Sequence, residues 1–135
     1  MNDMNPEISL DSLGRVLLSQ LTPHSSNFSV TVKVICQKVI IEKRRKDGTS
    51  ARVAEYLVGD ESGMMLLRLI HQHQAETIIP GNTLHISHAD VDLVEGYLRL
   101  QLTRWAVITI AADPISQKLR VDESTDWSLI EYGFF

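Results

Sequence analysis

The sequence predicts an all-β fold with one short helix: an OB-fold, a five-stranded Greek-key barrel with extensions at its N- and C-termini. Three observations carry that reading. The β-type runs between residues 28 and 110 fall in the order strand, strand, strand, short helix-compatible segment, strand, strand, which is the order of this barrel, its helix plugging one end between strands three and four. Tight polar breaks separate the runs at Gly59-Asp60-Glu61-Ser62-Gly63, at Pro80-Gly81 and at Glu95-Gly96, where glycine, proline and short polar side chains favour turns. Within the runs, apolar and polar residues alternate with the period of a half-buried strand. The chain divides into an N-terminal extension, residues 1–27, the barrel, 28–112, and an acidic, aromatic C-terminal extension, 113–135, that packs on the barrel or a partner.

In chain order, residues 1–7 are polar and aperiodic, as in a frayed end. Leu10, Leu13, Leu17, Leu18 and Leu21 then recur near helical spacing, with Asp11 or Ser12 available as a cap; a short helix or an irregular segment across the barrel fits this pattern. In the first strand Phe28, Val30, Val32 and Val34 alternate with Ser29, Thr31 and Lys33. After Cys36 the phase slips, so that Val39 and Ile41 become the inward residues, which is what a β-bulge in a long first strand produces. Cys36 itself reads as core. The second strand places Ala54, Tyr56 and Val58 on the inner face, the third Met65, Leu67 and Leu69, and the fifth Leu98, Leu100 and Leu102. Gln72 to Ile79 is the helix-compatible segment, and Pro80-Gly81 ends it. Asp113-Pro114 closes the domain, and the tail mixes Trp127, Leu129, Ile130, Tyr132, Phe134 and Phe135 with acids. These aromatics are too apolar to hang free and are expected to pack, in cis or against a second copy.

Composition narrows the function. The chain has 135 residues and a hydrophobic fraction of 44%, enough for one domain with a core. No apolar run approaches the ~18 residues of a membrane-spanning helix, and no basic-then-apolar leader opens the chain. The single cysteine, Cys36, excludes an internal disulfide and fits a reducing compartment, nucleus or cytosol. The net charge of −4 is uneven: residues 28–110 hold ten Lys/Arg against nine Asp/Glu, while both extensions are acidic. A polyanion responds to the local charge of a groove, not to the sum over the chain.

The segments Gln20-Leu21-Thr22-Pro23, Val58-Gly59-Asp60-Glu61-Ser62-Gly63, Pro80-Gly81-Asn82-Thr83, Gly96-Tyr97-Leu98-Arg99-Leu100, Trp105 and Ser128-Leu129-Ile130-Glu131-Tyr132 stand in an order and spacing that resemble a known family. The chain is similar to the single-OB-fold proteins related to the B subunit of the SOSS single-stranded-DNA-binding complex, and within them to a plant-type branch of uncharacterised OB-fold proteins. The resemblance implies single-stranded nucleic acid as the ligand. It also marks departures: three aromatic platforms of those binders fall at Ile70, Val94 and Gln101 here, and each stacked base is worth about 1–3 kcal/mol.

The candidate nucleic-acid-binding residues form three groups. Lys43, Arg44, Arg45 and Lys46, with Arg52, make a basic loop between strands one and two that could embrace a phosphate backbone; an ordinary solvated loop is the bland alternative. Arg68, Tyr97, Arg99 and Gln101 share the outer face of strands three and five, beside the apolar Leu66 and Ile70, which instead suggest a covered face. Trp105 offers a stacking ring, though a lone Trp near a strand end reads first as a seal on the core. His71, His73, His85 and His88 lack the converging ligands of a metal site, and spacing of three puts His85 and His88 on opposite faces of a strand. Asp90, Asp92 and Glu95 read as a solvated acidic loop. No nucleophile, general base or phosphate loop accompanies them, so no catalysis, metal or cofactor is expected. The reading is a non-catalytic binder of single-stranded DNA or RNA with little sequence preference. Its alternative is an assembly subunit whose barrel face holds a partner protein or a second copy.

Overall fold

β1 (Ser26–Arg44) has two partners, and the architecture follows from that. Its first half pairs antiparallel with β4 (Thr83–Val94), from Ser26 opposite Asp90 to Lys33 opposite Thr83. Its second half pairs with β2 (Ser50–Asp60), from Lys33 opposite Gly59 to Arg44 opposite Ser50. One strand serving two neighbours must bend, and the register slips between Val34 and Cys36 and again between Gln37 and Val39. The phase change after Cys36 is thus a real bulge, within a strand that closes the barrel. With β3 (Gly63–Leu69) and β5 (Tyr97–Ile110) the order around the closed barrel is β1-β2-β3-β5-β4. This is a computed structural model; the residues it describes are 15–69 and 76–132, excepting the side chains at 41, 43, 51 and 52.

The inward positions read from alternation are the core. Phe28, Val30, Val32 and Val34, Tyr56 and Val58, Met65, Leu67 and Leu69, and Leu98, Leu100 and Leu102 are all buried and form one cluster, with Ala54 half-buried against it; Leu84 and Ile86 of β4, not read from the sequence, join them. Each fully buried aliphatic side chain contributes about 1.5–3 kcal/mol relative to an exposed one. Leu18 and Leu21 close one end from a 3-10 turn, Leu18–Gln20, held by the Leu18 amide donating to Asp60 Oδ2 at 2.9 Å. The described part of the N-terminal leucine pattern is therefore an irregular segment lying on the barrel; Leu10 and Leu13 lie outside the described residues.

The turns follow their sequences. Asp60 faces Gly63 across Glu61-Ser62, and its Oδ1 accepts from the Ser62 amide at 2.8 Å. Glu95 and Gly96, at φ 55° and 91°, occupy the left-handed region together. That is the twist-matched turn a two-residue hairpin needs.

Three expectations are corrected. Val39 is not inward: it is 43% exposed and Ile40 49%, because the second slip, between Gln37 and Val39, sets Val39 opposite Glu55 on the outer face of β2; the side chain of Ile41 lies outside the description. Cys36, next to the first slip, is half-buried rather than core. Asp90 and Asp92 belong to β4 and not to a loop. Most of the helix expected over Gln72 to Ile79 lies outside the described residues, as do His71 and His73. The one α-helix among the described residues is α1 (Pro114–Gln117), after β5. No helix among them is long and apolar enough to cross a membrane.

Candidate nucleic-acid interface

Past the bulges, β1 and β2 continue as a two-stranded ribbon ending in the basic loop. The ribbon pairs as far as Arg44 opposite Ser50. The loop is then closed by the Arg45 amide donating to the Thr49 carbonyl at 2.7 Å and the Gly48 amide donating to the Arg45 carbonyl at 3.1 Å. Gly48, at φ 88°, makes that turn without strain. Asp47 Oδ1 accepts from the Thr49 hydroxyl at 2.7 Å and amide at 2.9 Å. These bonds lower its pKa, the hydroxyl's first and the amide's second. The one acid of the tip is thus turned onto its own loop, and Arg44, Arg45 and Lys46 stand exposed around it. Lys43 and Arg52 are paired in the ribbon through their backbones, opposite Ala51 and Glu42; their side chains are outside the description.

The second group is brought together but is not open. Glu55 on β2 is buried, with Arg99 Nε donating to its Oε2 at 3.2 Å and Arg68 Nε lying 3.7 Å from the same oxygen. Arg68 also lies 4.0 Å from Asp92. Both guanidiniums are largely covered, so the two arginines that the sequence offered to phosphate have carboxylates of their own. The cover is the C-terminal segment. β3 and β5 run parallel but pair only at Leu67 with Leu100 and Arg68 with Gln101, and nearer their starts residues 125–132 fill the seam. The Met64 amide donates to the Thr125 carbonyl at 2.8 Å, and the Tyr132 amide to the Gly96 carbonyl at 2.7 Å. Asp126 bridges to Met64 and Glu131 to Tyr97. Trp127, in a 3-10 turn (Trp127–Leu129), packs on the core and donates its indole N–H to the Ser62 carbonyl at 3.0 Å. Arg99 Nη1 reaches the Ser128 carbonyl at 3.4 Å. Of the two routes open to the tail aromatics, Trp127 and Tyr132 take the cis one. Phe134 and Phe135 lie outside the described residues.

Trp105 belongs to neither group. β5 bends where its register with β4 slips between Ser87 and Ala89. Beyond the bend it faces outward in the sector built with β4 and the first half of β1. Trp105 does not seal the core: it is 70% exposed, with the Arg104 guanidinium 5.1 Å from its ring centre. The strand turns its apolar contacts over to Ala106 and Ile108, which pack on the core instead. Stacked on a cation, the ring is held flat and open to solvent.

In that sector lies a polar cluster that sequence reasoning missed. Thr31 of β1 and His85 of β4 are register partners, and Thr31 Oγ1 lies 2.8 Å from His85 Nδ1. Arg15 Nη2 donates to both, at 3.0 Å to His85 Nδ1. With a charged guanidinium as donor, Nδ1 is the acceptor, which puts the ring proton on Nε2, facing Asp113 Oδ1 at 3.3 Å. Asp113 also caps α1, accepting from the Ser116 amide at 2.9 Å. That cap was legible in Asp-Pro before a short helix; Arg15 reaching over to His85 was not, because no local pattern encodes it. His88, at φ 56°, meets Asn27 Oδ1 at 2.8 Å instead, so the two β4 histidines do not share a site.

The Asp113 contacts lead to a test. Its pKa is lowered from 3.8 to about 2, by Ser116 first and His85 after it. A group whose folded pKa is depressed adds stability above its unfolded pKa and loses it as pH falls through the folded value. The Ser116 amide resonance is therefore expected to titrate with a midpoint near 2 rather than 3.8. A midpoint at the ordinary value in an NMR pH series would show that the cap is not formed in solution.

With this geometry described, comparison with known proteins gives three results. Residues 21–110 match the family described as single-stranded DNA binding protein Ssb-like, OB fold. An uncharacterised protein of Arabidopsis thaliana is 28% identical over an alignment 126 residues long that covers 87% of this chain and 80% of that one. Among solved structures, a hypothetical Arabidopsis thaliana protein in solution superposes with a TM-score of 0.69 at 27% identity, over 89% of this chain and 86% of that chain. A replication protein A heterotrimer bound to single-stranded DNA superposes at 0.66 over 82% of this chain and 27% of that chain. At 12% identity that last likeness is one of fold alone.

Proposed function

The chain belongs to the Ssb-like, single-stranded DNA-binding family of OB folds, and from that footing we propose that it is a non-catalytic binder of single-stranded DNA or RNA that grips the phosphate backbone with its β1–β2 ribbon. The observation that supports this best is the ribbon tip. Arg44, Arg45 and Lys46 are exposed together, and the nearby Asp47 is occupied by Thr49. Cations held on a projecting arm neutralise phosphates wherever the strand runs, which gives affinity without base readout. Tyr97, Arg68, Arg99 and Gln101 play a lesser part in this reading than strand alternation alone suggests, since the C-terminal segment lies beside them. The narrower kinship with the SOSS B-subunit proteins, and a nuclear or cytoplasmic setting, belong to the same proposal.

Anisotropy of labelled oligo-dT and oligo-U across a salt series tests it. Each phosphate contact contributes about −0.7 to the slope of log K against log salt for a single strand. Replacing Lys43, Arg44, Arg45 and Lys46 by alanine is expected to flatten the slope by about 2 to 3 and to weaken binding at least tenfold at moderate salt. A slope unchanged by the substitutions would remove the ribbon from the interface.

The second reading, an assembly subunit, draws on Val39 and Ile40, exposed apolar residues on the same ribbon. It expects a concentration-dependent mass in light scattering that Val39→Lys abolishes.

A further inference from the structure

We infer that the groove across β1, β4 and β5 is a second, separate site that takes a nucleotide, its phosphate at Arg15 and its base along Val107 toward Trp105. The site lies in a different sector of the barrel from the basic ribbon, and none of the ribbon's residues contributes to it.

The groove has a volume of about 310 Å3, with Arg15, Thr31, His85, Ser87, Val107 and Thr109 among its lining residues. That is the lower end of the range for small-molecule sites. Its walls follow from register: Thr31 faces His85 and His85 faces Thr109, while Ser87 faces Val107. Outward positions on a barrel are normally charged or wet. Here Val107 is 54% exposed, with hydroxyls around it and one guanidinium beside it. An apolar floor with a cation at one rim suits an amphiphilic ligand, a flat ring joined to an anion.

The charge arrangement selects the anion. Unlike Arg68 and Arg99, Arg15 has no carboxylate partner among the described residues; its contacts are the Thr31 hydroxyl and the His85 ring. An incoming phosphate adds a charged acceptor to Arg15 without breaking an ion pair among the described residues. Asp113 is at the other edge of the imidazole, on Nε2, where it fixes the ring instead of neutralising the guanidinium. Trp105 is two residues from Val107 on the same strand, about 7 Å along it, so a following base reaches its open face. Bases of any identity stack on such a ring.

One set of NMR titrations tests the proposal. Amide spectra are recorded with thymidine 5′-monophosphate, with an oligo-dT strand and with inorganic phosphate, on the native chain and on Arg15→Gln, Val107→Asp and the ribbon alanine variant. The two nucleotide ligands distinguish the sources: shifts with both assign the groove to a free nucleotide, and shifts with the oligonucleotide alone assign it to a strand. In either case the affected signals are Thr31, His85, Val107, Thr109 and the Trp105 indole. Arg15→Gln and Val107→Asp each weaken binding by roughly tenfold or more, and the ribbon variant leaves these shifts in place. Val107→Asp, at an exposed position, guards against a fold change in Arg15→Gln. No shift at these residues with any nucleotide ligand, equal response to inorganic phosphate alone, or shifts that survive both groove substitutions would overturn the inference. Loss of ribbon binding with the groove shifts retained would separate this site from the function proposed above.

Discussion

Glu55→Ala is expected to lower the melting temperature by about 10 °C or more, the largest single-residue effect outside the aliphatic core. Glu55 sits under the outer face of the barrel, and one of its oxygens faces both Arg99 at 3.2 Å and Arg68 at 3.7 Å. The three side chains are 11%, 15% and 18% exposed. Removing the carboxylate leaves two guanidiniums in a covered site, and breaking such a pair from one side costs about 3–5 kcal/mol. For a domain of this size each kcal/mol moves the midpoint by roughly 3–4 °C. Arg99 keeps its bonds to the Leu98 and Ser128 carbonyls, and Arg68 keeps only the longer approach to Asp92. Arg68→Met in the Glu55→Ala background should therefore recover part of the loss. A thermal melt of Glu55→Ala within ~2 °C of the native chain would show that solvent, not the carboxylate, balances the arginines.

Gly63→Ala is expected to dislodge the C-terminal segment while leaving the barrel closed. Gly63 starts β3 at φ 140°, and a Cβ there would run into the Trp127 indole, within 2.9 Å of Cδ1 and 3.1 Å of the Thr125 carbonyl. Neither neighbour can give way without losing a bond: the indole N–H is on the Ser62 carbonyl and Thr125 accepts from Met64. Strained backbone and overpacking together cost about 2–4 kcal/mol. The readout is Trp127 emission, recorded in a Trp105→Phe background, which should shift to the red while far-ultraviolet dichroism is kept. Proteolysis after Asp113 should quicken in parallel. Unaltered emission would mean that residues 125–132 do not rest in the seam in solution.

What the sequence made legible was whatever one strand could decide alone. Met65, Leu67 and Leu69, like Leu98, Leu100 and Leu102, alternate strictly because one side of each strand is sealed in the barrel, and the phase slip at Cys36 showed because a bulge moves every later side chain to the other face. Val39 was misread because a second slip, between Gln37 and Val39, follows the first and sets it on the face of Glu55. Trp105 was misread because a bulky ring at a bend is equally at home in a core or on a surface, and the bend was set by β4. The basic tip was legible as a charge cluster. Arg15 with His85, the two arginines on Glu55, and the landing place of Trp127 join residues far apart in the chain, and nothing local records such meetings.

The seam between β3 and β5 has a consequence for how the protein is made. Residues 125–132 leave the ribosome after β5, yet they supply the partners of Met64 and Gly96. A nascent chain that has reached Ile110 owns every barrel strand and still exposes two strand margins with unmet backbone groups. Such margins recruit whatever strand is nearby, including that of a neighbouring nascent chain. The hazard of misassembly is concentrated in the interval of translation between Ile110 and Tyr132, and slow codons there would lengthen it.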